Sequence, residues 1–198
     1  MRSKIIDCTQ RSEQWFELRE KRLTVSHSQA IASCGKGLET YIYKKMAKYY
    51  SSTEEESYIN DDMRRGIDLE DEAGIVYAWE NSVEIQKVGF IIWNDYVGCS
   101  PDLFVEENGL CEIKCLNDEN HLRLLLGGEF ETKYTWQAQG QMLTCEKDYC
   151  DLISYNPNFK QNLFVKRVTP DEKKFAKLKE GFKIGEKLIK DIEKKMEG

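Results

Sequence analysis

The residues best placed to do chemistry together are Asp102, Glu112 and Lys114, in the stretch CSPDLFVEENGLCEIKC from Cys99 to Cys115. In LCEIKCL a period of two sends Leu110, Glu112, Lys114 and Leu116 to one strand face, and Cys111, Ile113 and Cys115 to the other. A two-residue turn at Asn108-Gly109 would set Asp102 opposite Cys115, on the wrong face. A three-residue loop from Glu107 to Gly109, with Gly109 left-handed, instead brings Asp102 beside Lys114. Two carboxylates held this close raise each other's proton affinity unless a divalent cation neutralises them. Mg²⁺ suits the donors, because it takes oxygen ligands and needs only one or two carboxylates when phosphate oxygens complete its shell. With Lys114 stabilising charge or orienting water, the chemistry implied is phosphodiester hydrolysis. On repulsion alone, removing Asp102 or Glu112 leaves the metal-free fold as stable or more so. Glu112-x-Lys114 by itself better suits a solvated strand face with an ion pair; Pro101-Asp102 and the hairpin ahead of it make the arrangement more specific.

These residues need a hairpin, and the surrounding pattern supplies one. VEIQKVGFIIWN, VGCSPDLFVE and LCEIKCL read as three strands of a meander, separated by Asn94-Asp95 and Asn108-Gly109. Ahead of them, Ser12 precedes EQWFELREKR, acidic first and basic last, which predicts a short helix. Thr24 or Ser26 is expected to cap a second helix ended by Gly35 or Gly37. LETYIYKKMAKYY and MRRGIDLEDEAGIVYAWEN carry apolar residues at helical spacing. After the hairpin come a helix in YTWQAQGQMLTCE, strands in YCDLISYNP and NLFVKRV, and a C-terminal helix over 169–198 with a capping box in Thr-Pro-Asp-Glu. The order predicts an α/β fold with a mixed central β-sheet flanked by helices. No repeat, proline-rich linker or low-complexity block divides residues 1–198, so one domain is expected.

Composition narrows the partners. Lys and Arg number 29 against 35 Asp and Glu, a net charge of −6 that excludes a protein coated in positive charge. DNA remains open if the basic residues line one channel. MRSKIIDCTQ has no apolar core and no later run approaches a membrane span, so a cytoplasmic protein without membrane contact is expected. The seven cysteines are expected as reduced thiols, since no C-x-x-C pair suggests a metal set. His27 and His121 are assigned structural or surface roles.

The chain resembles the lambda exonuclease family, the YqaJ-type viral recombinase nucleases of the PD-(D/E)xK class. WFELREKRLTVSHSQA, RRGIDLEDEA, CSPDLFVEENGLCEIKC, LRLLLGG, YTWQAQGQM and SYNP carry the likeness in order, from roughly Trp15 to Pro157. The resemblance implies a restriction-endonuclease-like core and a 5′-to-3′ exonuclease that digests one strand of duplex DNA from a free end as a ring-shaped homotrimer. Asp102, Glu112 and the Ile113 carbonyl would hold Mg²⁺, as two ions with Mn²⁺ as a substitute, and Lys114 would be the catalytic lysine. By the same resemblance Glu70 supports the metal and its water, Gln137 stands near the active site, and Arg19, Ser26 and Ser100 bind the 5′-phosphate. Met63 takes the place of a strand-separating apolar residue, and Lys36 is a candidate backbone contact. Leu103 departs from the family, which usually has Gly after Ser-Pro-Asp. The implied partners are double-stranded DNA ends and a phage single-strand annealing protein. Two other readings stand beside this one: another nuclease of the class, acting on single strands or as an endonuclease, and an inactive DNA-end-binding protein.

Overall fold

The computed structural model describes residues 3–52 and 61–198, with side chains described from residue 64 onward in the second segment. Strand β1 (Lys4–Ile6) leads to helix α1 (Glu13–Glu20), strand β2 (Leu23–Thr24), a 3₁₀ turn (Val25–His27) and the one-turn helix α2 (Ser28–Ile31). Helices α3 (Lys36–Tyr50) and α4 (Asp61–Asn81) follow. Next come strands β3 (Ile85–Lys87), β4 (Phe90–Asn94), β5 (Val97–Cys99), β6 (Leu103–Val105) and β7 (Gly109–Lys114). Helices α5 (Asp118–Leu125) and α6 (Thr132–Cys145), strands β8 (Tyr149–Tyr155) and β9 (Leu163–Val168), and helix α7 (Glu172–Met196) complete the order.

The α/β class is as expected, with the strands divided between two mixed sheets, β1-β4-β5-β2 and β3-β6-β7-β8-β9. Parallel pairing occurs where β2 meets β5 and where β7 meets β8. The expected meander is therefore corrected: two of its three strands break and change sheet, the first between β3 and β4 and the second between β5 and β6. A single side chain ties the two crossings together, because the Gln10 amide donates to the Val88 carbonyl at 2.8 Å and to the Pro101 carbonyl at 3.0 Å. Pro101, which has no N–H for a ladder, stands where the second strand is interrupted.

Three boundaries also differ from expectation. Gly35 begins α3 as its N-cap rather than ending α2, and the left-handed residue that turns the chain is Cys34, φ 52°. Asp171, not Thr169, caps α7, accepting from the N–H groups of Lys173 and Lys174, while Gln139 binds the Thr169 carbonyl and the Asp171 N–H. Helix α5 was not expected, although its signals were present: the Asn117 side chain caps it, Asp118 and Glu119 fill the first turn, and Gly127 follows with φ 90°.

Strand alternation sorts the core into two layers. Leu110, Cys150 and Leu152 pack with α2, α3, α6 and α7 residues such as Ile31, Ile42, Met142 and Phe182. Cys111, Ile113, Ile153 and Tyr155 pack with Ala73 and Tyr77 of α4. Glu112 and Lys114 share the parity of Leu110 and so face α6, as the period of two requires. Helix α7 buries Leu178, Gly181, Phe182, Gly185 and Ile189 along one stripe. At Gly181 a Cβ would lie 2.1 Å from the Ile31 carbonyl oxygen, a backbone atom that cannot swing aside. Gly181→Ala should therefore destabilise the protein by about 2 kcal/mol in urea unfolding, despite alanine's better helix propensity. A gain in stability would show that α7 shifts freely over α2.

Among the described residues no helix is long and apolar enough to cross a membrane.

Candidate active site

The β6–β7 hairpin sets the first distances. Its register pairs Leu103 with Cys111 and Val105 with Gly109, so the loop is Glu106-Glu107-Asn108 and the left-handed residue is Glu106, φ 49°. The expected loop had the right length but lay one residue late, which shifts the pairing by two. A shift of two preserves the face, and Asp102 continues the ladder: its Oδ2 accepts from the Ile113 N–H at 2.6 Å. Gly109 is not the left-handed residue; it pairs with Val105 in the ladder, and the Tyr149 ring lies over it, 2.3 Å from where a Cβ would stand.

Glu112 is 2% exposed and its carboxylate meets three donors. Oε1 accepts from Lys114 Nζ at 2.5 Å and Gln137 Nε2 at 2.6 Å, and Oε2 accepts from Gln141 Nε2 at 2.5 Å. Gln137 and Gln141 stand one turn apart on α6 and so share a face. Gln141 was missed in the sequence, although its spacing of four from Gln137 was a usable signal. The Glu112–Lys114 contact is thus a part-buried network rather than a solvated strand face. Burial would lower the Lys114 pKa, but the charges of Glu112 and Asp102 outweigh it and hold the ammonium protonated above its ordinary range.

Asp102 has the opposite problem. Burial first, then the Glu112 and Glu70 charges, push its proton affinity well above the usual carboxylate value, while Lys114 and the Ile113 N–H only partly offset this. Removing Asp102 should relieve the fold, as expected from repulsion. Removing Glu112 should not, because it would strand Lys114 and two glutamines; that expectation is corrected.

A divalent cation fits these donors. A carboxylate offers about four acceptor positions, and donors among the described residues take three on Glu112 and one on Asp102. The Ile113 N–H points to Asp102, and a strand residue's carbonyl leaves by the same edge as its N–H. Among the described residues no group of three or more His, Cys, Asp or Glu side chains forms a ready cage. The set is two carboxylates and a carbonyl, which suits an ion completed by water and phosphate.

Glu70, on α4, borders the same groove as Asp102 and Ile113. Its Oε2 accepts from Arg11 Nη2 at 2.5 Å. Arg11, exposed in the turn before α1, carried no signal in the sequence.

The three phosphate candidates come together around Trp15. The Arg19 guanidinium lies 4.0 Å above the Trp15 ring, and Trp15 Nε1 donates to Ser100 Oγ at 2.7 Å. Arg19 Nη2 reaches Ser26 Oγ at 3.5 Å. Among the described residues no carboxylate pairs with Arg19, whose proton affinity is lowered mainly by burial and partly sustained by the charges of Tyr41, Cys99 and Glu112. Lys45 donates to the Arg19 and Glu20 carbonyls at the end of α1, and its pKa falls to about 8 through burial and the Arg19 charge. His27 stacks on Tyr41 at 4.2 Å and is held neutral, its pKa lowered to about 4 by burial, Lys45 and Arg19. It serves the pocket wall, while His121 is buried between Ser154 Oγ and the Gln161 carbonyl. An open cleft of about 1160 Å³ adjoins the pocket, with Arg11, Arg19, Lys44, Lys45 and Lys48 on its walls. Lys36 is exposed at the start of α3 and does not line this cleft. The side chain of Met63 lies outside the described residues. Leu103 has no positive φ and packs on Gly74, so this backbone does not require the family's glycine.

The YqaJ-like viral recombinase domain matches residues 14–148, and the chain belongs to that family. The alkaline exonuclease LHK-Exo from Laribacter hongkongensis is structurally similar, with TM-score 0.84 and 26% identity over 94% of this chain and 96% of that one. Its complex with dAMP gives TM-score 0.81 and 27% identity over 93% and 98%. A phage-related exonuclease from Haemophilus somnus 129PT shares the fold at TM-score 0.66 and 15% identity over 91% and 98%. A search of curated proteins found no match. Family and structural likeness together support a nuclease role for this chain.

Proposed function

We propose that this protein is a Mg²⁺-dependent 5′-to-3′ exonuclease that digests one strand of linear duplex DNA from 5′-phosphorylated ends, for phage-type recombination with a single-strand annealing protein. The observation that carries this reading is the junction of two sites. Asp102, Glu112 and Lys114 share one hairpin, and Arg19 stacks on Trp15, which donates to Ser100, two residues before Asp102. A terminal phosphate held by Arg19, Ser26 and Ser100 would place the adjacent phosphodiester toward the carboxylates. The Laribacter exonuclease was crystallised with dAMP, a nucleotide with one phosphate, as a product of such digestion would be.

Asp102, Glu112 and the Ile113 carbonyl would hold the metal, which supplies a Lewis acid for the phosphodiester and lowers the pKa of bound water. Gln137 and Gln141 fix the Glu112 carboxylate so that its geometry is set before substrate arrives. Lys114, beside Glu112, presents its ammonium to developing negative charge. Glu70 closes the groove beside Asp102 and orients water from that side. Linear duplex with or without 5′-phosphates, incubated with Mg²⁺, Mn²⁺ or a chelator, tests the whole reading. Digestion that ignores the chelator or proceeds from 3′ ends would overturn it.

The exonuclease reading includes a homotrimer ring on double-stranded DNA ends. Such a ring should sediment as a trimer and degrade one long DNA without exchanging to a competitor trap. A strict monomer with distributive cleavage would remove the ring and leave the nuclease.

A further inference from the structure

We propose that Arg11 is a DNA-phosphate clamp, released from Glu70 when a duplex end enters and engaging the backbone between the end pocket and the carboxylates. This rests on the nuclease reading above. Its position is the first reason: the Arg11 side chain borders the cleft of Arg19, the groove of Asp102 and Glu70, and the groove of Lys114 and Tyr134, and so stands where all three meet.

Its construction is the second. Arg11 has φ 69°, a left-handed conformation that a non-glycine residue holds only when its surroundings impose it. Both neighbours impose it. Gln10 is anchored on the Val88 and Pro101 carbonyls, one residue before Asp102. Ser12 donates its N–H to the Thr9 carbonyl at 3.1 Å, and its hydroxyl caps α1 through the Trp15 N–H at 3.3 Å. The turn aims Arg11 over the groove.

Its partner is the third. The Arg11–Glu70 pair makes one hydrogen bond between side chains 42% and 22% exposed. An exposed pair of this kind exchanges readily in water. Arg167 shows what a structural arginine looks like here, gripping buried Asp151 through both Nε and Nη2. Among the described residues Arg11 spends only Nη2 on a partner, and a phosphate accepts two parallel bonds from such a fork.

Binding of 5′-phosphorylated duplex, measured by fluorescence anisotropy in chelator across a salt series, tests the clamp apart from catalysis. Arg11→Gly removes the guanidinium yet suits the positive φ, so folding should be little changed in a melting scan. It should weaken binding about tenfold and reduce the salt slope by about 0.9, the value for one lost phosphate contact. Glu70→Gln should tighten binding in the wild-type background by freeing Arg11, and should do so less in the Arg11→Gly background. Wild-type protein that digests DNA while Arg11→Gly keeps the same affinity and slope would overturn the clamp alone. Wild-type protein that neither binds nor digests duplex would overturn the nuclease reading and the clamp with it.

Discussion

Asp102→Asn should abolish Mg²⁺-dependent digestion while making the metal-free protein more heat-stable, and Glu112→Ala should abolish digestion while making it less so. Loss of a metal-holding carboxylate removes several kcal/mol of charge stabilisation, which at about 1.4 kcal/mol per factor of ten is on the order of a thousandfold in rate or more. The opposite stability effects come from their surroundings. Asp102 is pushed toward its protonated form by burial and by Glu112 and Glu70, so in the absence of metal its ionisation opposes folding. The unfolded carboxyl titrates near about pH 3.9. Below that value Asp and Asn behave alike; above it the wild type loses stability progressively until the raised folded pKa is passed, and the advantage of Asn grows over that window. Asparagine also keeps an oxygen for the Ile113 N–H. Glu112 is the acceptor for Lys114, Gln137 and Gln141, and its removal leaves a part-buried ammonium and two amides without it. Lys114 retains 21% exposure, so the cost falls at the low end of that for breaking a buried pair, about 3 kcal/mol. Melting curves in chelator from pH 4 to 9, beside a digestion assay, measure both arms. If both variants gained stability, the Glu112 network would not hold in solution.

Arg19→Ala should slow digestion of 5′-phosphorylated ends by about ten- to a hundredfold and change hydroxyl ends little. A charge-assisted hydrogen bond contributes about 1.5–3 kcal/mol, and a hydroxyl end offers Arg19 no charge to grip. The guanidinium is already stripped of part of its water and stacked on Trp15, with no carboxylate partner among the described residues. A phosphate is the counter-ion this arrangement suits. Arg19→Lys keeps the charge but loses the planar fork and the stack, so it should recover only part of the selectivity. Rates on paired substrates differing only in the terminal phosphate give the answer. Equal slowing on both would make Arg19 a support for the fold or for general DNA affinity.

Local rules determined a large share of this molecule from sequence. Alternation in LCEIKCL placed Glu112 and Lys114 on one face, Ser12 marked the start of α1, and the apolar spacing of LETYIYKKMAKYY and the other long segments marked their helices. These depend on neighbours within a few residues, which the sequence displays directly. The separated motifs also identified the family. Long-range contact decided the rest. The meander breaks into two sheets where Gln10, 78 and 91 residues away in the chain, binds the Val88 and Pro101 carbonyls, partners that no local pattern displays. The exact loop before Gly109 follows from the pairing of β6 with β7, which leaves Glu106 to take the left-handed turn and sets Gly109 against the Tyr149 ring. Gln141 became a Glu112 partner only once α6 lay against β7, and Arg11 reached Glu70 only through a strained turn 59 residues away in the chain. Charge makes the same division: Asp102 and Glu112 are both carboxylates in the sequence, and only packing leaves one satisfied by three donors and the other opposed by its neighbours. Desolvation and hydrogen bonding, which set that difference, belong to the folded environment rather than to residue type.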